Sequence, residues 1–279
     1  MTAQNILIVG KNGKTGHRVE ALLQHAGYST RGVSRSTTPS FDWASVNSND
    51  TARWAKAMEN CRAAYVTFQP DLAVPFAQEA IAVFLEQAKQ AGIEHIVLLS
   101  GRGEEGAQQA EQLLINSGLR WNVVRASWFD QNFSEGILVD GIMSGTVALP
   151  AADVPEPFVD VDDIAEVAVA CLTQPDLANQ LFEVTGPELL TFRQCVAFIA
   201  DRLQRPIEFV AITPQQMVEA LRAEGMSEDE LWLINELFTF VLDGRNSSTE
   251  DGVFKALGRP ATSFAQYVEK TIAQGHWAV

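Results

Sequence analysis

The chain has 279 residues, 47% hydrophobic and 9% aromatic, with a formal net charge of −15. That length suits one doubly wound domain with a smaller appendage, and the composition excludes a disordered protein; only the segment after Asp243 is polar enough to be expected loosely ordered. The acidity argues against a nucleic-acid partner, which needs a basic face, and is read as a contribution to solubility.

The start, Met1-Thr-Ala-Gln-Asn5, shows no basic leader region, and no apolar run reaches the roughly 18 residues needed to span a bilayer. The expected location is the cytoplasm, with no membrane partner. Cys61, Cys171 and Cys195 lie far apart and form no C-x-x-C pair, so they are read as reduced, buried thiols and not as disulfides or a zinc site. No internal repeat is present.

Asn5-Ile-Leu-Ile-Val-Gly10 is a continuous apolar run closed by glycine, the pattern of a strand buried on both faces of a parallel sheet. A helix over 17–25 follows, with Val19, Leu22 and Leu23 at helical spacing and Gly27 beyond its end. The alternation predicts a strand over 28–34, a weak strand near 41–46, a helix over 51–59, a strand over 63–68 and a long helix over 75–92. A strand over 95–100, a helix over 104–116 and a strand over 121–125 complete the series. The class is α/β, a Rossmann-type doubly wound parallel sheet.

The rhythm then changes. Pro155-Glu-Pro157 precedes Phe158-Val-Asp-Val-Asp-Asp163, where Asp162 or Asp163 is expected to cap a helix over 164–172. A strand over 181–185, a turn at Gly186-Pro187, a helix capped by Thr191, a short strand over 208–212 and a helical stretch over 214–242 follow. The domain reading is a dinucleotide-binding domain over 1–186 and a smaller, mainly helical substrate-pocket region over 187–279, partly interleaved with 126–157 and packed over the sheet's carboxyl edge.

Gly10-Lys-Asn-Gly13-Lys-Thr-Gly16 sits between a predicted strand and a predicted helix. In that context Gly10 permits the tight turn, Gly13 lets backbone amides approach a pyrophosphate, and Gly16 lets the helix close on the strand. Asn12, Lys14 and Thr15 complete the expected cradle. A phosphate-hydrolase loop would need glycine where Ile8 stands, which rules that reading out. NAD-binding units place a carboxylate roughly 20 positions on. Here Ser34-Arg35-Ser36 occupies that corner, and the first carboxylate after Glu20 is Asp42. Ser34 and Arg35 suit a 2′-phosphate, so the expected cofactor is NADP(H).

The glycine loop, Val97-Leu-Leu-Ser100, Glu111, Arg125-Ala-Ser-Trp-Phe-Asp-Gln-Asn-Phe133, Phe158-Val-Asp-Val-Asp-Asp-Ile-Ala165, Gly186-Pro-Glu-Leu-Leu-Thr-Phe192 and the ending Gly258-Arg-Pro with Ser263-Phe264 span nearly the whole chain. Together they resemble the NmrA-like, atypical short-chain dehydrogenase/reductase family, closest to the ergot-alkaloid (festuclavine-dehydrogenase-like) imine reductases and their bacterial relatives. The resemblance implies a Rossmann fold and NAD(P) binding. It extends to reductases of imines, quinones, azo compounds and dyes, and also to non-catalytic redox sensors that act through a protein partner.

Ordinary members of the wider superfamily use Tyr-x-x-x-Lys as the proton-donating pair. Here Ala107 takes the tyrosine place and Glu111 the lysine place, so an already electron-poor acceptor is expected. The resemblance implies that Thr67, Phe68 and Gln69 pass the adenine-side ribose and that Ser100 lies near the nicotinamide as the remnant of a catalytic serine. Glu111 orients the nicotinamide ribose or a water, or is a glutamate of the helix surface or one that acts only through a neighbouring side chain. Trp128, Phe129, Asn132 and Phe133 form either an apolar wall beside the substrate or core packing. Trp232, Phe238 and Phe240 close the pocket or belong to the core. Asp163 and Arg125 are read as structural. His17, His25, His95 and His276 are scattered, so no metal site is expected. The partner is a small-molecule substrate, and the oligomeric state stays open, a homo-oligomer included.

Overall fold

A computed structural model describes residues 5–48 and 50–278; the expectation drawn from Met1 to Gln4 lies outside the described residues. In chain order the first elements are β1 (Asn5–Val9), α1 (Gly16–His25), β2 (Thr30–Val33), α2 (Ala52–Met58), β3 (Cys61–Val66), α3 (Ala77–Ala91), β4 (His95–Gly101), α4 (Glu105–Ile115) and β5 (Arg120–Ala126). There follow α5 (Val139–Ser144), β6 (Thr146–Leu149), α6 (Val161–Thr173), β7 (Gln180–Val184), α7 (Phe192–Leu203), β8 (Glu208–Ala211), α8 (Pro214–Ala223), α9 (Glu228–Glu236), α10 (Gly252–Leu257) and α11 (Phe264–Ala273).

The chain divides into two compact units. Met1–Ala126, Asp162–Glu183 and Gly252–Gly258 build the first, and Ser127–Val161, Val184–Asp251 and Arg259–Val279 build the second. Where the sequence suggested a division at 186/187 with 126–157 interleaved, the chain leaves the first unit after Ala126, returns over 162–183 and sends back 252–258.

The six-stranded sheet has the order β2-β1-β3-β4-β5-β7, and β1 runs parallel to both β2 and β3, β3 to β4, and β4 to β5. Leu7, Ile8 and Val9 are buried because helices cover both faces, which is why the strand reads as an unbroken apolar run. The chain steps outward from β1 to β2 and then crosses to β3 on the other side of β1. The carboxyl ends of β1 and β3 therefore flank the point where the strand order reverses, the place where such sheets bind ligands.

The weak strand expected near 41–46 is absent: Trp43–Ser48 forms a 3₁₀ helix, and the first 126 residues carry five strands, the sixth place in the sheet going to β7. Phe41, Trp43 and Val46 are all buried in the helix-side core. Phe41 stacks on Trp54 at 4.8 Å and Trp43 on Phe68 at 4.6 Å, while the Trp43 indole donates to the Thr67 carbonyl at 3.0 Å. Apolar spacing there reflects one packed aromatic cluster and not the two faces of a strand.

The second unit holds a parallel pair, β6 with β8, among helices whose aromatic side chains form its core. Two segments read poorly from sequence. Residues after Asp243, expected to be loose, form α10 and α11. In α11 the buried Phe264, Tyr267, Val268 and Thr271 recur at helical spacing, and the Ser263 hydroxyl accepts from the Gln266 amide in a capping box. The stretch 214–242 is interrupted at Gly225 (φ +88°) and continues as α9 with a π-helical turn, Leu237–Val241. α6 starts at Val161, so Asp162 and Asp163 lie inside its first turn and do not cap it; there they complement the helix's positive end. Among the described residues no helix is long and apolar enough to cross a membrane.

Candidate functional site

The glycine loop is shaped by what a Cβ would meet. Gly10 has φ +82°, and a Cβ there would stand 2.0 Å from Thr67 Oγ1, a hydroxyl that donates to the Val9 carbonyl at 3.1 Å. A Cβ on Gly16 would stand 2.2 Å from the Gly10 carbonyl oxygen, so glycine is what lets α1 close on the loop. Gly13 differs: its Cβ would meet only the Gly10 oxygen at 3.2 Å and Gln69 Nε2 at 3.9 Å. The neighbours are tightest over the first and third glycines and less tight over the second, all three lying just before or at the N-terminus of α1. Thr15 is buried beneath the loop.

At the end of β2, Asn12 Nδ2 donates to Ser34 Oγ at 3.2 Å and Ser36 Oγ at 3.4 Å, which brings the loop and the serine corner together, with Arg35 exposed beside them. Phe68 is packed against Trp43, whereas Gln69 is exposed on the loop's side of the sheet edge. Sequence reasoning missed Arg18. Its Nε donates to Asp162 Oδ1 at 2.6 Å and its Nη1 to the Lys14 carbonyl at 2.7 Å, tying the loop to the start of α6. The i to i+4 step back to Lys14 was readable; the partner 144 residues away was not.

At the carboxyl ends of β4 and β5 a charged network surrounds Ser100. Ser100 Oγ donates to Glu111 Oε1 at 2.6 Å. Arg125 grips both Glu111 oxygens, with Nε to Oε1 at 3.0 Å and Nη2 to Oε2, and its Nη1 reaches Glu183 Oε1 at 2.7 Å. Arg102 Nε closes the chain on Glu183 Oε2 at 3.2 Å. Glu111 is 0% exposed, and these contacts hold the Arg125 guanidinium more firmly protonated than usual, chiefly through its hydrogen bond to Glu111. Arg102 and Glu183 had no signal in the sequence.

Ala107 is buried in α4, and Tyr65 and Tyr267 are buried with their hydroxyls pushed up in pKa by that burial; Tyr28 precedes β2. The three cysteines are buried free thiols, Cys171 pushed up to about 12 by burial.

In the second unit, the quoted motifs zip together. Asp130 N donates to the Val159 carbonyl at 2.9 Å, Val159 N to the Trp128 carbonyl at 2.9 Å, and Gln131 Nε2 to Asp160 Oδ1 at 2.7 Å. Gly186 N donates to the Pro157 carbonyl at 3.1 Å, and a Cβ on Gly186 would stand 1.9 Å from the Phe158 oxygen. Trp128, half-buried, meets Phe192 edge-on at 5.4 Å and Phe238 at 5.3 Å; Phe133 is fully buried in the same cluster. Phe129 and Asn132 are half-buried, whereas Trp232 and Phe240 are 41% and 50% exposed. Among the described residues no cluster of three or more metal-ligating side chains occurs.

Over residues 10–175 the chain matches the family described as NAD(P)H-binding. It is 30% identical to agroclavine dehydrogenase of Claviceps fusiformis, over 94% of this chain and 96% of that protein. It is 28% identical to NAD(P)H azoreductase of Xenophilus azovorans, over 95% and 96% of the two. The triphenylmethane reductase of Citrobacter sp., solved with NADP(H), has a TM-score of 0.74 over 95% of this chain and 99% of its own at 16% identity, a likeness of fold. The chain belongs to the NAD(P)H-binding family, within the NmrA-like atypical short-chain reductases, and is an NAD(P)H-dependent oxidoreductase.

Proposed function

We propose that this protein is an NADPH-dependent reductase that passes hydride to a small, planar, electron-poor organic acceptor of the imine, quinone or dye type. The observation that carries the reading is the pairing of Glu111 with Arg125 and Ser100, beside a buried Ala107, where a lysine and a tyrosine would supply the acid. Without an acid, reduction of an ordinary ketone loses roughly 10²- to 10⁴-fold in rate, whereas an electron-poor centre takes hydride with little need of one. The names of the relatives, an azoreductase and a clavine dehydrogenase, point the same way.

When bound, reduced nicotinamide supplies the hydride. The chain's own groups hold the cofactor: the loop amides of Gly10 to Gly16 with Asn12, Lys14 and Thr15 at the pyrophosphate, Ser34 and Arg35 at the 2′-phosphate, and Thr67, Phe68 and Gln69 along the adenine-side ribose. Ser100 stands at the nicotinamide end, oriented by Glu111. Trp128, Phe129, Asn132, Phe133 and Trp232, all of the second unit, are the residues proposed to contact the acceptor.

Purified protein mixed with NADPH and a panel of imines, quinones, azo compounds and cationic dyes is expected to consume the reduced nicotinamide absorbance with at least one acceptor. Tight binding without turnover on every acceptor would overturn the reading in favour of a redox sensor working through a protein partner. Arg35→Ala is expected to weaken NADPH by about tenfold to a hundredfold, the worth of one or two charge-assisted hydrogen bonds, and to leave NADH nearly unchanged. Equal loss for both cofactors would remove Arg35 from the phosphate site.

A further inference from the structure

We infer that Ser100 is an acceptor-only hydroxyl: the Glu111 carboxylate, gripped by Arg125, accepts the hydrogen bond made by its single proton, so Ser100 can receive a hydrogen bond from a bound N–H or O–H group but cannot give one. A serine hydroxyl has one proton and two lone pairs. Its contact with Glu111 Oε1 is 2.6 Å, the length of a charge-assisted O–H to carboxylate bond. The direction of that bond follows from the other side of the carboxylate. Arg125 donates to both Glu111 oxygens, and a guanidinium does not give up its proton, so a protonated Glu111 would leave a half-buried cation facing a neutral acid.

The network is also balanced in charge. Arg125 and Arg102 face Glu111 and Glu183 in one continuous chain of hydrogen bonds, two cations against two carboxylates. Gly101, next to Ser100, packs against the Glu104 carboxylate, which is itself hydrogen-bonded to Asp71; a Cβ on Gly101 would stand 2.2 Å from Glu104 Oε1.

The consequence rests on the reductase reading, although the hydrogen-bond direction does not. Ser100 would not protonate the reduced product or donate to a developing oxyanion. It would select ligand groups that carry their own proton, such as a carboxamide N–H, a ring or chain N–H, or a ribose hydroxyl, leaving any proton required by the product to come from water. Glu111 and Arg125 are positioning residues in this scheme.

The test replaces the hydroxyl with a group whose proton can be seen. In Ser100→Cys, thiolate absorbance is titrated against the parent protein as blank, its native thiols being buried. The introduced thiol is expected to titrate at least one pH unit above the ordinary thiol value of about 8.5, and adding Glu111→Gln is expected to lower it by one unit or more. Thiolate forming at or below that ordinary value with Glu111 in place would overturn the proposal. Should that variant fail to fold, the carbon-13 carboxyl resonance of Glu111 in the unmodified protein decides. A carboxylate shift at pH 7 supports the proposal, and a carboxylic-acid shift at pH 7 overturns it. Neither readout requires turnover, so failure to reduce any acceptor leaves both intact.

Discussion

The carboxyl edge of the parallel sheet and the aromatic core of the second unit reach order by opposite means. At the sheet edge, position comes from missing side chains and paired charges: Gly10 and Gly16 lack the atoms that would collide with Thr67 and with the loop's own backbone, and four charged side chains fix one hydroxyl. In the second unit, position comes from rings in edge-to-face contact, Phe158 on Phe192 at 4.9 Å and Phe133 on Phe264 at 5.4 Å. Steric and ionic devices fail abruptly when one atom is added or one charge removed. Aromatic packing fails in proportion to the volume lost, so the two regions should respond differently to mutation.

The largest expected effect is at the loop. Gly16→Ala places a methyl 2.2 Å from a backbone oxygen that cannot swing away, so the loop must shift, and NADPH binding should fall by about a hundredfold or more, of the order of 3 kcal/mol. The fluorescence of bound NADPH measures the loss. Binding within threefold of the parent would mean that α1 does not need to close on the loop as the contact distance demands.

The aromatic core should lose stability and not cofactor affinity. Phe192→Ala removes a fully buried ring from contact with Trp128, Phe133 and Phe158, and should cost about 3–5 kcal/mol, lowering Tm by roughly 6–20 °C. Phe192→Leu should recover more than half of that. A leucine as damaging as the alanine would show that ring geometry, and not filled volume, holds this region.

The ion network falls between these cases. Arg125→Met strands the buried Glu111 carboxylate and should cost about 3 kcal/mol by urea unfolding, whereas Arg125→Met combined with Glu111→Leu should restore most of the loss. If the double variant were as unstable as the single one, the penalty would come from lost packing and not from an uncompensated charge.

The same contrast explains what could be read in advance. The geometry of the sheet edge was legible because its devices are local in sequence: three glycines between a strand and a helix, and a serine-arginine corner at the end of the second strand. What escaped was the long-range part of the network, since nothing near Arg102 announces Glu183 and nothing near Arg18 announces Asp162. The second unit was read less well. Its buried residues are supplied by short elements separated by polar ones, so α5 and β6 went unseen and the helices after Asp243 were hidden by their exposed faces. The false strand at 41–46 had the same origin: aromatic residues serving a cluster give the spacing of a strand when the partner rings, Trp54 and Phe84, lie outside the window.

A smaller effect separates the two ends of a single strand. β4 runs from His95 to Ser100 and Gly101, and its amino end carries a buried imidazole where its carboxyl end carries the charged network. His95 Nε2 lies 2.9 Å from Asn122 Oδ1, and Asn122 Nδ2 donates in turn to the Leu177 and Gln180 carbonyls, so the imidazole is the donor to Asn122 and the amide is fully engaged. Burial holds the His95 pKa below its ordinary value of 6.5; the bond to Asn122 opposes that shift and the nearby Arg120 charge adds to it. The sign follows. Above pH 6.5 the imidazole is neutral in both the folded and unfolded chains and costs nothing. As the pH falls from 6.5 toward and through the folded value, the unfolded chain takes up the proton first, so stability declines across that interval. His95→Gln keeps a donor for Asn122 but cannot titrate. It is expected to cost no more than about 1 kcal/mol at pH 8 and to flatten the decline between pH 6.5 and 5, measured by urea unfolding of variant and parent at matched pH. Parallel curves for the two proteins would place the acid sensitivity elsewhere. A flattened curve would show that it resides at the amino end of the strand, leaving the hydroxyl at the other end in an environment set by fixed charges.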